Sequence, residues 1–183
     1  MSRPLRPEIP GGLFHIYARG NNQRPIYLDD RDRLVYLDLL GKTVQWTKWN
    51  CLSYCLMDNH MHLVVETPEP NLAAGMQQLH GQYARRFNDR YSTSGHLFGG
   101  RYGSVNITTD FQLAAVLRYL ALNPIEVGLC RRPEEYAWSS HGDVVSGTPA
   151  EFMNVDRLHW YLGGFGGDPE AAYAELVAAG VWA

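Results

Sequence analysis

Two short runs, Cys51-Leu-Ser-Tyr-Cys-Leu-Met57 and His60-Met-His-Leu-Val-Val-Glu66, are separated only by Asp58-Asn59. Both runs are rich in β-branched, aromatic and other apolar residues, and the two between them favour a turn. So short a connection leaves room for nothing but an antiparallel hairpin. The hairpin fixes which side chains share a face, because strand residues alternate from side to side. Its surroundings add the other elements. Residues 13–19 read as a strand, stopped by Gly20-Asn21-Asn22. Asp29-Asp30 can cap a helix over 31–49, with Leu34, Leu37, Leu40 and Val44 at helical spacing. Asn71 can cap a long helix to Tyr91, with Leu72, Met76, Leu79, Tyr83 and Phe87 on one face. Residues 102–108 read as a fourth strand. Asp110 can cap a helix through Leu122, which Pro124 is expected to end. A last helix is expected over 171–179.

The resulting order, β-α-β-β-α-β-α, predicts an α+β fold: an RRM- or ferredoxin-like antiparallel sheet with helices packed on one face. The expected divisions are a proline- and glycine-rich arm at 1–12, a domain over 13–132 with its core in 13–123, and an acidic C-terminal extension over 133–183. The 183 residues suffice to bury one core without disulfides. Three scattered cysteines rule out a disulfide framework and a four-cysteine zinc site. No apolar run approaches the ~18 residues of a membrane span, and no signal peptide is expected, so the expected address is the cytoplasm with no membrane partner. Net charge is −3, but residues 1–132 carry 15 Lys and Arg against 11 Asp and Glu, and residues 133–183 one against eight. Arginine outnumbers lysine fourteen to two, and arginine is the better partner for phosphate.

The hairpin also carries the sharpest chemical feature. His60 and His62 share one strand face, about 6.6 Å apart along the strand, with Met61 turned away. Two imidazoles so placed can share a metal ion. A third ligand would be needed: Glu66 has the same parity but reads as peripheral, and His15 or His80 would serve only if the fold brought them close. Tyr119 and Asn123 stand four residues apart on a predicted helix, so a phenol and an amide share a face. A metal beside a tyrosine could assist attack on a phosphodiester by polarising a phosphoryl oxygen. On these residues alone, half-exposed strand histidines and a packing tyrosine are the readings to beat.

Five segments together resemble a known family. Leu56-Met-Asp-Asn-His-Met-His-Leu-Val-Val-Glu66 resembles the HUH motif of single-tyrosine transposases, the insertion-sequence 200/605 superfamily. Ala18-Arg-Gly-Asn-Asn22, Gly95-His-Leu-Phe-Gly-Gly-Arg-Tyr102, Arg118-Tyr-Leu-Ala-Leu-Asn-Pro124 and Trp138-Ser-Ser140 are similar to its REP-associated tyrosine transposase branch. The resemblance runs from about Gly12 to Ser140. It implies that His60, His62 and Asn123 hold a divalent metal, Mg²⁺ or Mn²⁺, and that Tyr119 is the nucleophile. It implies a single-stranded DNA endonuclease and strand transferase, acting on hairpins such as REP palindromes through a 5′-phosphotyrosine link. The resemblance is compatible with a monomer or a homodimer.

Arg19, Asn21, Arg85, Arg86 and Arg101 are the expected DNA contacts, and a solvated helix face suits Arg90 as well as binding does. Tyr102 is the rival nucleophile, and Tyr83 and Tyr91 are expected on the long helix. Gly103 and Glu126 stand where the family often has basic residues. Two other readings stand beside the strand transferase: a hairpin-binding module of the same fold that does not cut, and a metal hydrolase using His60, His62 and water.

Overall fold

The computed structural model describes residues 9–163 and 169–178. Most of the arm, residues 1–8, lies outside them. Four strands, β1 (Gly12–Arg19), β2 (Asn50–Met57), β3 (His60–Thr67) and β4 (Gly103–Ile107), form one antiparallel sheet in the order β2-β3-β1-β4. Helices α1 (Asp30–Thr47) and α2 (Leu72–Tyr91) join them in the split pattern of a ferredoxin-like fold, and α3 (Asp110–Glu126) follows β4. The hairpin closes through Asp58-Asn59 with Met57 opposite His60. Its turn is held from outside: the Asp58 carbonyl accepts from the backbone N–H of Ile26 and Tyr27, and Arg33 pairs with the Asp58 carboxylate.

Alternation divides the sheet. Phe14, Ile16, Met61, Leu63 and Val65 are fully buried on one face. The other face carries His15, Tyr17, Arg19, His60 and His62. α1 and α2 pack against each other over the first face. α3 takes the opposite one, where Asn123 meets His60. The helices therefore lie on both faces, not on one. The α2 stripe of Leu72, Met76, Leu79, Tyr83 and Phe87 is buried as expected. The α1 stripe is rotated. Leu34 is 58% exposed and Leu37 only partly buried, while Leu40 and Val44 are buried as expected, beside Tyr36, Thr43 and Thr47.

The capping positions match the expectation at α1 and α2 and shift by one residue at α3. Asp29 caps α1, accepting from Asp32 N at 3.1 Å. At α2 the Asn71 side chain instead accepts from Trp49 Nε1 at 2.7 Å and donates to the Thr47 carbonyl at 3.0 Å, tying the helix start to the end of α1. Thr109, not Asp110, caps α3. α3 also continues past Pro124 to Glu126. Proline lacks an N–H and so forfeits one helical hydrogen bond. Burial of Asn123 and Pro124 holds the last turn in place.

The acidic segment is packed into the molecule. The Trp138 carbonyl accepts from Leu56 N at 2.9 Å, Ser140 Oγ accepts from Tyr54 N at 3.0 Å, and the Cys51 carbonyl accepts from Asn154 N at 2.9 Å. These bonds occupy the free edge of β2. Three short helices follow: α4 (Ser140–Val145), α5 (Val155–Leu162) and α6 (Pro169–Ala178). Leu158, Leu162, Tyr173 and Val177 join the main core. Residue 179, the end expected for the last helix, lies outside the described residues.

Candidate functional site at the junction of the hairpin and the third helix

The site is built from two elements. β3 begins at the turn, so its first residue, His60, is at the sheet's rim, and His62 is one pleat further in. α3 crosses that face and offers Tyr119 and Asn123 from one side, as their spacing of four requires. The Nε2 of His60 lies 3.1 Å from the Oδ1 of Asn123. The Tyr119 ring stands edge-on to His62 with centroids 5.2 Å apart, and His60 and His62 are 5.1 Å apart. Tyr119 remains 40% exposed, whereas Asn123 and His62 are buried.

Hydrogen bonding sets which nitrogens are free. Asn59 donates its amide N–H to the Gln23 carbonyl, so its Oδ1 accepts from His60 Nδ1, at 2.7 Å. A neutral His60 then presents a lone pair at Nε2, directly facing the lone pairs of Asn123 Oδ1. Two acceptors 3.1 Å apart repel unless Nε2 is protonated, the Asn123 amide turns to donate, or a metal ion lies between them. His62 Nδ1 is bonded to His15 Nε2 at 3.0 Å, and His62 Nε2 is buried with no hydrogen-bond partner. An imidazole oriented through one nitrogen and bare at the other is the usual arrangement of a metal-ligating histidine. Burial holds His62 down to about 3 and His15 down to about 4, and lowers His60 as well. All three imidazoles are therefore neutral at pH 7. Among the described residues no group of three or more His, Cys, Asp and Glu is arranged to hold a metal ion. A divalent cation here would draw on His60 Nε2, His62 Nε2 and an amide oxygen, Asn123 Oδ1. That nitrogen and oxygen set fits such an ion.

The other candidates fall into place around this junction. His15 is brought in because β1 pairs with β3. His80 is not: it stacks on Phe98 at 4.1 Å. Glu66 is engaged elsewhere, accepting from Arg157 at 2.7 and 2.9 Å and from Asn50 at 2.7 Å. Arg19 is exposed opposite His60. Asn21 and Arg101 line a cleft of about 1120 Å³ between α2 and the 95–102 loop. That loop is bonded to the end of β1 through Asn21 N to the Leu97 carbonyl at 2.8 Å and Gly99 N to the Arg19 carbonyl at 2.9 Å. Arg85 is exposed on α2, and Arg86 lies 3.7 Å from Asp38. Arg90 is committed to Asp29 and Asp32, at 2.5 and 2.6 Å, so it is not a free helix-face charge. Tyr102 is buried and lines the same cleft with His80 and His96, and neither His60 nor His62 lines it. Tyr17, which motif reading passes over, lies directly opposite His62. Its parity with His15 was the available signal.

No curated protein matches the chain. Among solved structures, one described as a REP-associated tyrosine transposase bound to a REP hairpin superposes with a TM-score of 0.69 at 16% identity, over 85% of this chain and 93% of that one. A candidate transposase from Deinococcus radiodurans R1 gives a TM-score of 0.46 at 17% identity, over 64% of this chain and 95% of that one. The family model described as "Transposase IS200 like" matches residues 11–123, which includes every strand and the whole histidine–tyrosine–asparagine junction. The chain belongs to the IS200-like transposase family.

Proposed function

We propose that the protein is a DNA strand transferase that uses Tyr119 to cut and rejoin single-stranded hairpin DNA of the REP type. The observation that carries this reading is the convergence, on one sheet face, of two neutral histidines, a buried amide and a half-exposed tyrosine. Membership of the IS200-like family supports it, as does the likeness in fold to a protein seen with a REP hairpin. His60, His62 and Asn123 hold a divalent cation, Mg²⁺ or Mn²⁺, whose chemistry is to polarise a phosphoryl oxygen. Tyr119 supplies the nucleophile. Its phenol loses a proton as Oη bonds to phosphorus. The bond from phosphorus to the 3′ oxygen breaks, and that oxygen takes a proton and departs as a 3′-OH. The 5′ side of the strand remains on the tyrosine. Attack by another 3′-OH reverses the step and needs no external energy source. Arg19, Asn21, Arg85, Arg86 and Arg101 contact the DNA.

The test is a covalent-adduct assay. Labelled hairpins from the DNA flanking the protein's own gene are incubated with protein and Mn²⁺ or Mg²⁺ and run on a denaturing gel. A protein–DNA band is expected, and it should vanish with Tyr119→Phe, with His60→Ala and with EDTA. Peptide mapping should place the phosphate on Tyr119. An adduct on Tyr17 or Tyr102 would reassign the nucleophile. Hairpin binding in a native gel without any adduct would favour the non-cutting binding module.

A further inference from the structure

β1 turns His15, Tyr17 and Arg19 toward the face that carries the histidine pair. Tyr17 is flanked by His62 on β3 and by Gly103 on β4. Its ring centroid lies 6.4 Å from His62 and 5.6 Å from His15. The ring reaches the other way, across Gly103: a Cβ built on that glycine would overlap ring atoms Cζ and Cε2 of Tyr17. Gly103 is not among the residues of positive φ. What it contributes is therefore room rather than backbone freedom, a use of glycine expected where something must approach a strand closely. The phenol rests on bare backbone and still keeps 44% of its surface exposed. Val105, next on that face of β4, is 52% exposed, and Arg19 is exposed two residues along β1.

Apolar aromatic surface left open on a central strand of a sheet needs a reason, because a core position stood available by alternation. α3 crosses the histidine side of this face and leaves the β1–β4 side uncovered at Tyr17 and Val105. An exposed ring supported from beneath, with a guanidinium nearby, is the device by which sheets of this kind stack unpaired bases. We propose that Tyr17, laid across Gly103, is the stacking platform for the unpaired nucleobase next to the phosphodiester presented to Tyr119. The proposal rests on the DNA reading above and names the residue that positions the strand.

The test places 2-aminopurine singly at successive unpaired positions flanking a hairpin and follows its fluorescence on binding to the full chain. Wild type and Tyr17→Phe should quench one position, and Tyr17→Ala should leave it bright. Affinity for the hairpin with its single-stranded flank should fall about 5- to 150-fold in Tyr17→Ala. Affinity for the same hairpin without the flank should not change, which separates lost stacking from lost folding. Gly103→Ala, which must push the ring aside, should lose part of the quenching with Tyr17 intact. Unchanged quenching in Tyr17→Ala, or an equal loss of affinity with and without the flank, overturns the platform alone. Failure of the wild type to bind any hairpin overturns the DNA reading and the platform with it.

Discussion

His80 shows how the fold uses a histidine that stands apart from the junction of β3 and α3. Its imidazole stacks on Phe98 and is hydrogen-bonded to the Tyr36 hydroxyl at 3.3 Å, and desolvation holds its pKa down to about 3. The folded chain keeps it neutral, while the unfolded chain protonates it below about pH 6.5. In that window the unfolded state binds more protons, so stability falls with acid from about pH 6.5 toward 3. His15 and His62, lowered to about 4 and about 3, act in the same direction. Thermal melts at pH 7.5 and pH 5 should show a drop in Tm for the wild type, and a smaller drop for His80→Gln; an equal drop would remove His80 from the account. At this scale the sequence was informative where parity or helical spacing decides the outcome. His60 and His62 share a face, as do Tyr119 and Asn123. That the two pairs meet depends on where α3 crosses the sheet, which spacing does not encode and only the resemblance implied. Tyr17 went unnoticed because its meaning comes from Gly103 on another strand, 86 positions later in the chain.

Elements were legible where local signals were strong and misleading where a tertiary contact outbid them. The hairpin, the α2 stripe and the strand order followed from pattern. The end of α3 did not: a local rule stops a helix before proline, but packing of Asn123 and Pro124 carries it to Glu126, four residues beyond the expected end. Had α3 ended at Leu122, the amide would have left the face that Tyr119 presents. α4 and α5, six and eight residues long, are too short for a repeating pattern to mark them, and polar links add to the apolar contacts that hold α5. The strongest joins α5 to the end of β3. Glu66, whose carboxyl Arg157 holds below its usual range, is buried and also accepts from Asn50 and Tyr161, while Arg157 stacks on Trp160 at 4.1 Å. Arg157→Ala leaves a buried carboxylate without its cation. Because Arg157 is partly exposed and two donors remain, the expected loss is about 2–3 kcal/mol, short of the ~3–5 kcal/mol for a fully buried pair. Urea denaturation monitored by circular dichroism measures it, and a loss below ~0.5 kcal/mol would reduce the pair to a surface contact.

The whole molecule separates charge by region. The seven excess negative charges of residues 133–183 belong to a segment that, where described, packs on β2 and α3. Its apolar residues Tyr136, Val144, Met153, Leu158, Leu162, Tyr173 and Val177 are buried in the same core as the sheet. A chain truncated after Arg132 should therefore fail to fold, seen as strong binding of an apolar dye and loss of a cooperative melt; a cooperative melt within a few degrees of wild type would make the segment a separate extension. Composition exposed the charge asymmetry but not this docking, since it rests on backbone bonds to one strand edge. The docking bears on the site as well. His60 and His62 ride on the sheet, but Tyr119 rides on α3, which is braced by α6 and by the turn at Pro133–Glu135. The two sides of the site are the jaws of a calliper, and the C-terminal helices are the screw that sets its gap. Wear in that screw would open the jaws while the sheet remained sound, so on the proposed function side chains such as Tyr173, on a helix that only braces α3, would share in setting how fast a strand is cut.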